Sequence, residues 1–151
     1  MNNKTLPLTI ELVPSSAWYS NVRSNVTVKE WDRIRRKSYT LANNKCEICG
    51  DIGKNQGVNH FVECHEIWEY NDGTKDQKLI GLIALCPFCH KVKHAGLAQI
   101  KGEEEVVINQ LMKVNNMTKE EACDYIDSSF DIWKRRSKYE WKLDITMLKR
   151  Y

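Results

Sequence analysis

Two Cys-x-x-Cys pairs are the most informative chemical pattern in the 151-residue sequence. Cys46 pairs with Cys49, Cys86 pairs with Cys89, and 36 residues separate the two pairs. Each such turn directs two thiolates to one side of a tight bend, and two turns complete a tetrahedral sulfur shell at about 2.3 Å from a zinc ion. The spacing therefore predicts a structural zinc, whose binding adds to the free energy of folding. The alternatives are a redox pair or four unrelated buried cysteines.

Histidines lie close to the second cysteine pair. His90 follows Cys89 directly and His94 comes four residues later, so both lie on one face of a helix, as a chelating pair requires. A strand ending at His65 could bring a third imidazole, and three imidazoles with open coordination positions are typical of a catalytic metal site. We therefore predict a second divalent metal (Mg, Mn, Ni or Zn) at these three histidines. The alternative is a buried, structural His65 with His90 and His94 exposed.

The stretch from residue 46 to residue 94 resembles the zinc-knuckle HNH endonucleases. The usual run in that family is Glu-x-His-His-Ile, followed after an insert by Asn-Leu-x-x-Leu-Cys-x-x-Cys-His-x-x-x-His. Here the two parts read ECHEI from Glu63 and GLIALCPFCHKVKH from Gly81. The resemblance covers about a third of the chain. It implies a ββα-metal fold, metal-dependent hydrolysis of phosphodiester bonds, and His65, His90 and His94 as the metal ligands.

The sequence departs from the family at the catalytic base. The family's second His, which activates water, falls on Glu66, and the Asn that orients it falls on Gly81. A carboxylate can act as a general base when its pKa lies near the operating pH, so Glu66 is the expected base. In an extended strand Glu63 shares the face of His65, which makes Glu63 the reserve base or ligand. Another register would make His65 the base and Cys64 a ligand, although a thiolate binds magnesium poorly.

Basic residues are the candidates for contacts with the phosphates of a nucleic acid. They are Lys91 and Lys93, which flank the histidines, and Arg23, Arg33, Arg35 and Arg36. Such contacts give salt-sensitive binding with little sequence preference. The alternative for each residue is an ordinary solvated helix face. The net charge of +3 and the pI near 8.5 are only mildly basic and do not by themselves establish a nucleic-acid partner.

The tryptophans divide between packing and possible base stacking. Trp31 and Trp133 lie at apolar positions of predicted helices, which favours packing between helices. Trp68 follows the Glu63 segment directly and is expected near the site. Trp18 lies in a predicted loop, where packing and stacking both stay open.

Length and composition exclude several classes of protein. The chain is long enough for one domain, and 42% of its residues are hydrophobic, enough for a core. Residues 1–12 hold one lysine and no long apolar run, so we expect no signal peptide. No stretch approaches the roughly 18–20 apolar residues of a membrane span. We expect a cytoplasmic protein, bacterial or phage-encoded, whose thiols stay reduced. We expect no membrane partner for it.

The elements that position these residues follow from patterning. Residues 6–13 predict a strand or an extended arm, and a capping box from Thr27 to Glu30 begins a helix that ends near residues 43–44. Strands are expected at 58–67 and 79–85, with a turn at Asn71-Asp72-Gly73 between them. Helices are expected at 90–96, 103–115 and 118–138, and a strand or tail at 141–147.

The predicted fold is α+β, in a single domain. A small ββα-metal module of the treble-clef-like HNH kind, stapled by the four-cysteine zinc site, occupies residues 45–96. A strand and helix precede it at 1–44, and helices follow it at 97–151. The predicted function is a metal-dependent endonuclease acting on nucleic acid, with DNA as the expected substrate. The alternatives are an inactive zinc-dependent module that binds nucleic acid or protein, and a structural zinc protein with an incidental histidine cluster.

Overall fold

The computed structural model of the protein describes residues 5–151 as a mixed α+β chain. Its helices are α1 (Val22–Asn25), α2 (Val28–Leu41), α3 (Pro87–Lys93), α4 (Ala95–Ile100), α5 (Glu104–Asn115) and α6 (Lys119–Arg136). Its strands are β1 (Glu63–Asn71), β2 (Asp76–Leu85) and β3 (Lys142–Asp144). Short 3₁₀ turns lie at Ser15–Ala17, Gly53–Gln56 and Thr146–Arg150. Residues 1–4, part of the segment expected not to be a signal peptide, lie outside the described range.

The three strands form one sheet in the order β1-β2-β3. β1 and β2 are an antiparallel hairpin, and Asn71 Oδ1 accepts hydrogen bonds from the amides of Gly73 and Thr74, at 3.0 Å each. The predicted turn is therefore confirmed. β3 pairs in parallel with the start of β2, so the C-terminal segment extends the sheet. β1 begins at Glu63, five residues later than the strand predicted from residue 58.

The N-terminal arm, residues 5–14, forms neither strand nor helix and bends at residues 7–8, so the predicted N-terminal strand is wrong. Its backbone polar groups are paired by side chains instead of by a neighbouring strand. Leu8 is buried, and its N–H donates to Asn115 Oδ1 at 2.9 Å while its carbonyl accepts from Asn115 Nδ2 at 2.7 Å. The amide of Ile10 donates to the Tyr125 hydroxyl at 2.9 Å. The arm is thereby fixed onto α5 and α6.

The helices agree with the predicted positions, with small differences at their ends. Thr27 and Thr118 cap α2 and α6, and Thr118 forms the full reciprocal capping box with Glu121. The helix expected to run from His90 to Gly96 begins earlier, at Pro87, and is interrupted at His94. His94 has φ −111° and ψ 47°, which is outside helical geometry, and α4 starts directly after it.

Two groups of buried side chains hold these elements together. The first surrounds the cysteines and includes Leu85, Val92 and Leu111, so it joins β2, α3 and α5. The second contains Ile34 and Trp68, which pack with apolar residues of the C-terminal segment. Among residues 5–151 no helix is long and apolar enough to cross a membrane. The division into one domain with two extensions stays a prediction.

Candidate metal centres

The four cysteines of the two Cys-x-x-Cys pairs converge on one point. Their sulfur atoms all lie within 4.8 Å of one another, and the Sγ atoms of Cys49 and Cys86 are 3.5 Å apart. A tetrahedral shell with zinc–sulfur bonds of about 2.3 Å requires sulfur atoms about 3.8 Å apart, so the cluster has the dimensions of a zinc site. Cys86 and Cys89 are fully buried, and Cys46 is nearly so. These four residues could therefore hold a structural zinc.

Backbone turns shape both cysteine pairs in the same way. The amide of Cys49 donates to Cys46 Sγ at 3.5 Å, and the amide of Cys89 donates to Cys86 Sγ at 3.4 Å. The first turn ends at Gly50, whose φ of 79° is costly for residues with a side chain. Hydrogen bonds from Cys49 and then from the other two thiols lower the pKa of Cys46, because they stabilise its thiolate.

Two further side chains support the cysteine cluster, and sequence analysis did not single out either one. Glu47 ties the first turn to β2: its amide donates to the Ala84 carbonyl at 2.9 Å, and its carboxylate accepts from the Ala84 amide at 2.6 Å. Gln110 of α5 is buried, and its Nε2 donates to Cys89 Sγ at 3.1 Å. Both contacts join residues far apart in sequence, so spacing alone could not have found them.

The three predicted histidines form a second cluster beside the first. His65 comes from β1, His90 from α3 and His94 from the residue that ends α3, and ring nitrogens of all three lie within 4.8 Å of one another. The Nε2 atoms of His90 and His94 are 3.1 Å apart. Imidazole nitrogens bound to one metal at about 2.0–2.1 Å lie at similar separations, so the cluster has dimensions that suit a divalent ion.

The histidine cluster is graded from buried to open. His65 is only 8% exposed, whereas His94 is exposed. Burial, followed by repulsion from His94 and His90, holds the pKa of His65 well below its usual value. Loss of solvation around its ring, followed by repulsion from His90, lowers the pKa of His94 to about 4. Both rings are therefore neutral near pH 7, the form in which an imidazole binds a metal.

Glu63 joins the histidine cluster through hydrogen bonds to two imidazoles. Its Oε1 lies 2.7 Å from His90 Nδ1, and its Oε2 lies 2.6 Å from Nε2 of His60. The hydrogen bond from His90, and more weakly that from His60, lowers the pKa of Glu63. A carboxylate that holds Nδ1 fixes the ring so that Nε2 is free for a metal. His60, which sequence analysis left without a role, is thus the outer partner of Glu63.

Glu66, the expected base, has a different set of contacts. Its Oε1 accepts a hydrogen bond from the Val22 amide at 3.0 Å, so the carboxylate caps the first turn of α1. Burial raises the pKa of Glu66 above its usual value, and the hydrogen bonds from the backbone of Val22 and Arg23 only partly offset this effect. Gly81, at the position of the family's Asn, is paired with Ile67 across the hairpin.

The structure separates the predicted phosphate-binding residues into three groups. Lys93 is buried and its Nζ contacts Thr9 Oγ1 at 2.8 Å and Glu11 at 3.0 Å, while Lys91 pairs with Glu103. On α2, Arg33 pairs with Glu30, Arg35 with Asp32, and Arg36 is exposed. Arg23 is exposed and lines the cleft that contains the histidines. Of the four arginines, only Arg23 lies along this cleft in the described chain.

The cleft has a volume of about 1070 Å³ and exposes the histidine cluster along one wall. His65, Glu66 and Trp68 of β1 lie on this wall, so the prediction that Trp68 lies near the site is confirmed. The remaining walls come from the N-terminal arm, from the loop that leads into α1, and from α4 and α6. All three imidazoles line this cleft.

Comparisons with protein-family models, with curated proteins and with solved structures give no match to the chain. The interpretation of the two clusters therefore rests on their own geometry and chemistry.

Proposed function

We propose that the protein is a metal-dependent endonuclease of the HNH type, which hydrolyses phosphodiester bonds in nucleic acid, with DNA as the expected substrate. The observation that carries the proposal is the convergence of His65, His90 and His94, directly beside the four-cysteine cluster and open to a cleft. Support also comes from the order of elements, since the hairpin β1-β2 and helix α3, with the two residues that cap α3, supply all three imidazoles and half of the sulfur ligands. This order of elements agrees with the ββα arrangement that the sequence resemblance implies, and it supports the proposal.

The chemistry follows from where the groups lie. A divalent ion held by the three imidazoles would supply positive charge to a phosphate oxygen and to the leaving oxygen of the scissile bond. Glu66 lies along the same cleft and is the candidate to accept the proton of the attacking water. Both oxygens of Glu63 face imidazoles, which favours a positioning role for this residue over the base role.

One observation favours the alternative of a binding module without hydrolysis. Glu66 replaces the family's His base, and its Oε1 is engaged by the Val22 amide at the start of α1. A carboxylate with this contact has a structural reason to be present whether or not it removes a proton from water. The same fold could then bind nucleic acid or protein through the cleft and the zinc-stabilised module.

The deciding experiment is nicking of supercoiled plasmid by the purified protein with magnesium, manganese, nickel or zinc added. We expect metal-dependent nicking that EDTA stops and that His65→Ala abolishes, because one of three ligands is lost. Tyr19→Ala, which changes an exposed ring outside the cleft, is the control and should keep nicking activity.

The Glu66→Gln variant tests the assignment of the base, and the unaltered protein separates the candidate functions. Loss of nicking in Glu66→Gln, with the second metal still bound, would assign the base to Glu66, whereas full activity would remove it from that role. No cleavage of plasmid, single-stranded DNA or RNA by the unaltered protein would exclude the nuclease and leave the binding module.

A further inference from the structure

The cleft beside the histidines is lined by an aromatic side chain that is not part of either group of buried side chains. Trp18, in the loop before α1, is 64% exposed and lines the cleft. Its neighbour Tyr19 is more exposed, at 86%, but is not among the cleft residues. Exposure of an indole ring to water is unfavourable, so covering the ring with another flat surface lowers the free energy. Every nucleic-acid base has a flat face that can stack on the ring in this way. The position of Trp18, on the same cleft as a three-imidazole cluster, is therefore suited to base stacking.

The charges that line the cleft are arranged unequally. Arg23 lies on the side of the α1 loop, and the described chain gives it no carboxylate within ion-pair distance. Two exposed acids, Asp127 and Asp131, lie one turn apart on α6, and Lys134 follows them. Glu11, which also lines the cleft, is already paired with Lys93. The α1 side therefore presents one cation, while the α6 side presents two carboxylates and one ammonium group and is net negative.

This asymmetry distinguishes between the two forms of nucleic acid. A duplex carries phosphates on both of its edges, so a duplex filling the cleft would bring one backbone against Asp127 and Asp131. A single strand has one backbone, which can follow Arg23 and the histidines while its unpaired bases are free to reach both Trp18 and α6. Carboxylates accept hydrogen bonds from the exocyclic amino groups of cytosine, and adenine offers the same kind of donor.

We propose that the cleft is a binding site for single-stranded or locally unpaired nucleic acid, with one base stacked on Trp18 and the adjoining phosphate beside the three histidines. This inference rests on the proposed function and specifies its substrate. The loop that carries Trp18 leads through Asn21 into α1, and Glu66 caps that helix. Through this hydrogen bond Glu66 connects the loop that carries Trp18 to β1, where His65 is the preceding residue.

The test is fluorescence anisotropy of a labelled oligonucleotide, as a single strand and as a blunt duplex of the same sequence. No divalent metal is added, and the oligonucleotide is checked for integrity after each titration. We expect the single strand to bind more tightly than the duplex. Trp18→Ala should weaken single-strand binding by about 5- to 150-fold, the range for removal of one base–aromatic stack. Trp18→Phe should retain most of the affinity, and Tyr19→Ala, the matched control, should leave it unchanged.

The possible failures of this inference and of the nuclease proposal are distinguishable. Equal binding of single strand and duplex, no binding of either, or equal losses in Trp18→Ala and Tyr19→Ala would overturn the stacking site, even if plasmid is nicked. Tight, Trp18-dependent binding of single strands with no cleavage under any metal would uphold the stacking site and remove the nuclease.

Discussion

Cys89 and His90 are consecutive residues of α3, yet they belong to two clusters with opposite properties. Cys89 has no exposed surface and lies within a group of buried side chains, with its sulfur among three others. The imidazole of His90 belongs to a cluster that opens onto a cleft through the exposed His94. A buried, four-ligand sulfur shell has no open coordination position, whereas three imidazoles leave at least one. One short helix thus contributes to a closed cluster that could hold a structural zinc and to an open cluster whose imidazoles face a cleft.

The hydrogen-bond partners of the candidate ligands also differ between the two clusters. Hydrogen-bond donors surround the cysteine sulfurs, namely two backbone amides and the Gln110 side chain, and donors stabilise the negative charge of thiolates. Behind the histidines lies an acceptor, the Glu63 carboxylate, whose Oε1 lies 2.7 Å from Nδ1 of His90. The difference predicts that changes near the sulfurs affect mainly stability, while changes near the imidazoles affect mainly the binding of an exchangeable metal.

The largest effect is expected from Cys86→Ser. Cys86 is fully buried and also caps α3, so the substitution removes one of four sulfur ligands from the core. We expect loss of the tightly bound zinc and a decrease in Tm of more than about 10 °C, since about 1 kcal/mol shifts the Tm of a chain this size by about 2–4 °C. Metal analysis and a thermal melt measure both quantities. Cys123→Ser, a cysteine outside the cluster, is the control, and unchanged zinc content in Cys86→Ser would rule out the sulfur site.

An intermediate effect is expected from Glu63→Ala, and it should appear in metal affinity. Loss of the carboxylate behind a histidine ligand typically weakens metal binding by about 10- to 100-fold. We expect that decrease for the second metal, measured by competition with a chromophoric chelator, while the tightly bound zinc stays in place. Glu69→Ala, an exposed acid of the same strand, should bind the metal as the unaltered protein does. A loss far beyond 100-fold would instead make Glu63 a direct ligand.

The parts of both clusters that depend on local geometry could be predicted from sequence. A Cys-x-x-Cys turn and a His-x-x-x-His helix each fix the relation of two side chains within a few residues, so spacing was enough for Cys46 with Cys49 and for His90 with His94. Strand parity likewise placed Glu63 on the face of His65, where it meets His90.

The contacts that could not be predicted come from packing between distant segments. Lys93 was expected at a phosphate, but Thr9 and Glu11 of the N-terminal arm surround its ammonium group. The arm itself was expected to be a strand or an extended segment. Its alternating apolar residues do not show whether its backbone amides will be paired by the edge of a sheet or by side chains. Asn115 and Tyr125 decide this, and both are more than 100 residues away.

The smallest effect is expected from Gln110→Met, and it appears in stability. This variant tests most closely the division between the sulfur cluster and the histidine cluster. Gln110 is buried, and its Nε2 is the only donor to Cys89 Sγ from another element among the described hydrogen bonds. Methionine has a similar length and keeps the packing but cannot donate, so a hydrogen bond to a charged sulfur is lost. We expect the free energy of unfolding to fall by about 1–3 kcal/mol and Tm by a few degrees, with zinc still bound in a one-to-one ratio.

Asn109→Met, at the exposed neighbouring position of α5, supplies the matched control for the Gln110 variant and should melt as the unaltered protein does. Affinity for the second metal should be the same in all three proteins, because α5 contributes none of its three candidate ligands. A Gln110 variant that keeps its stability but loses affinity for the second metal would contradict the division between the two clusters. It would mean that sulfur and imidazole sites are energetically coupled through α3, the helix they share.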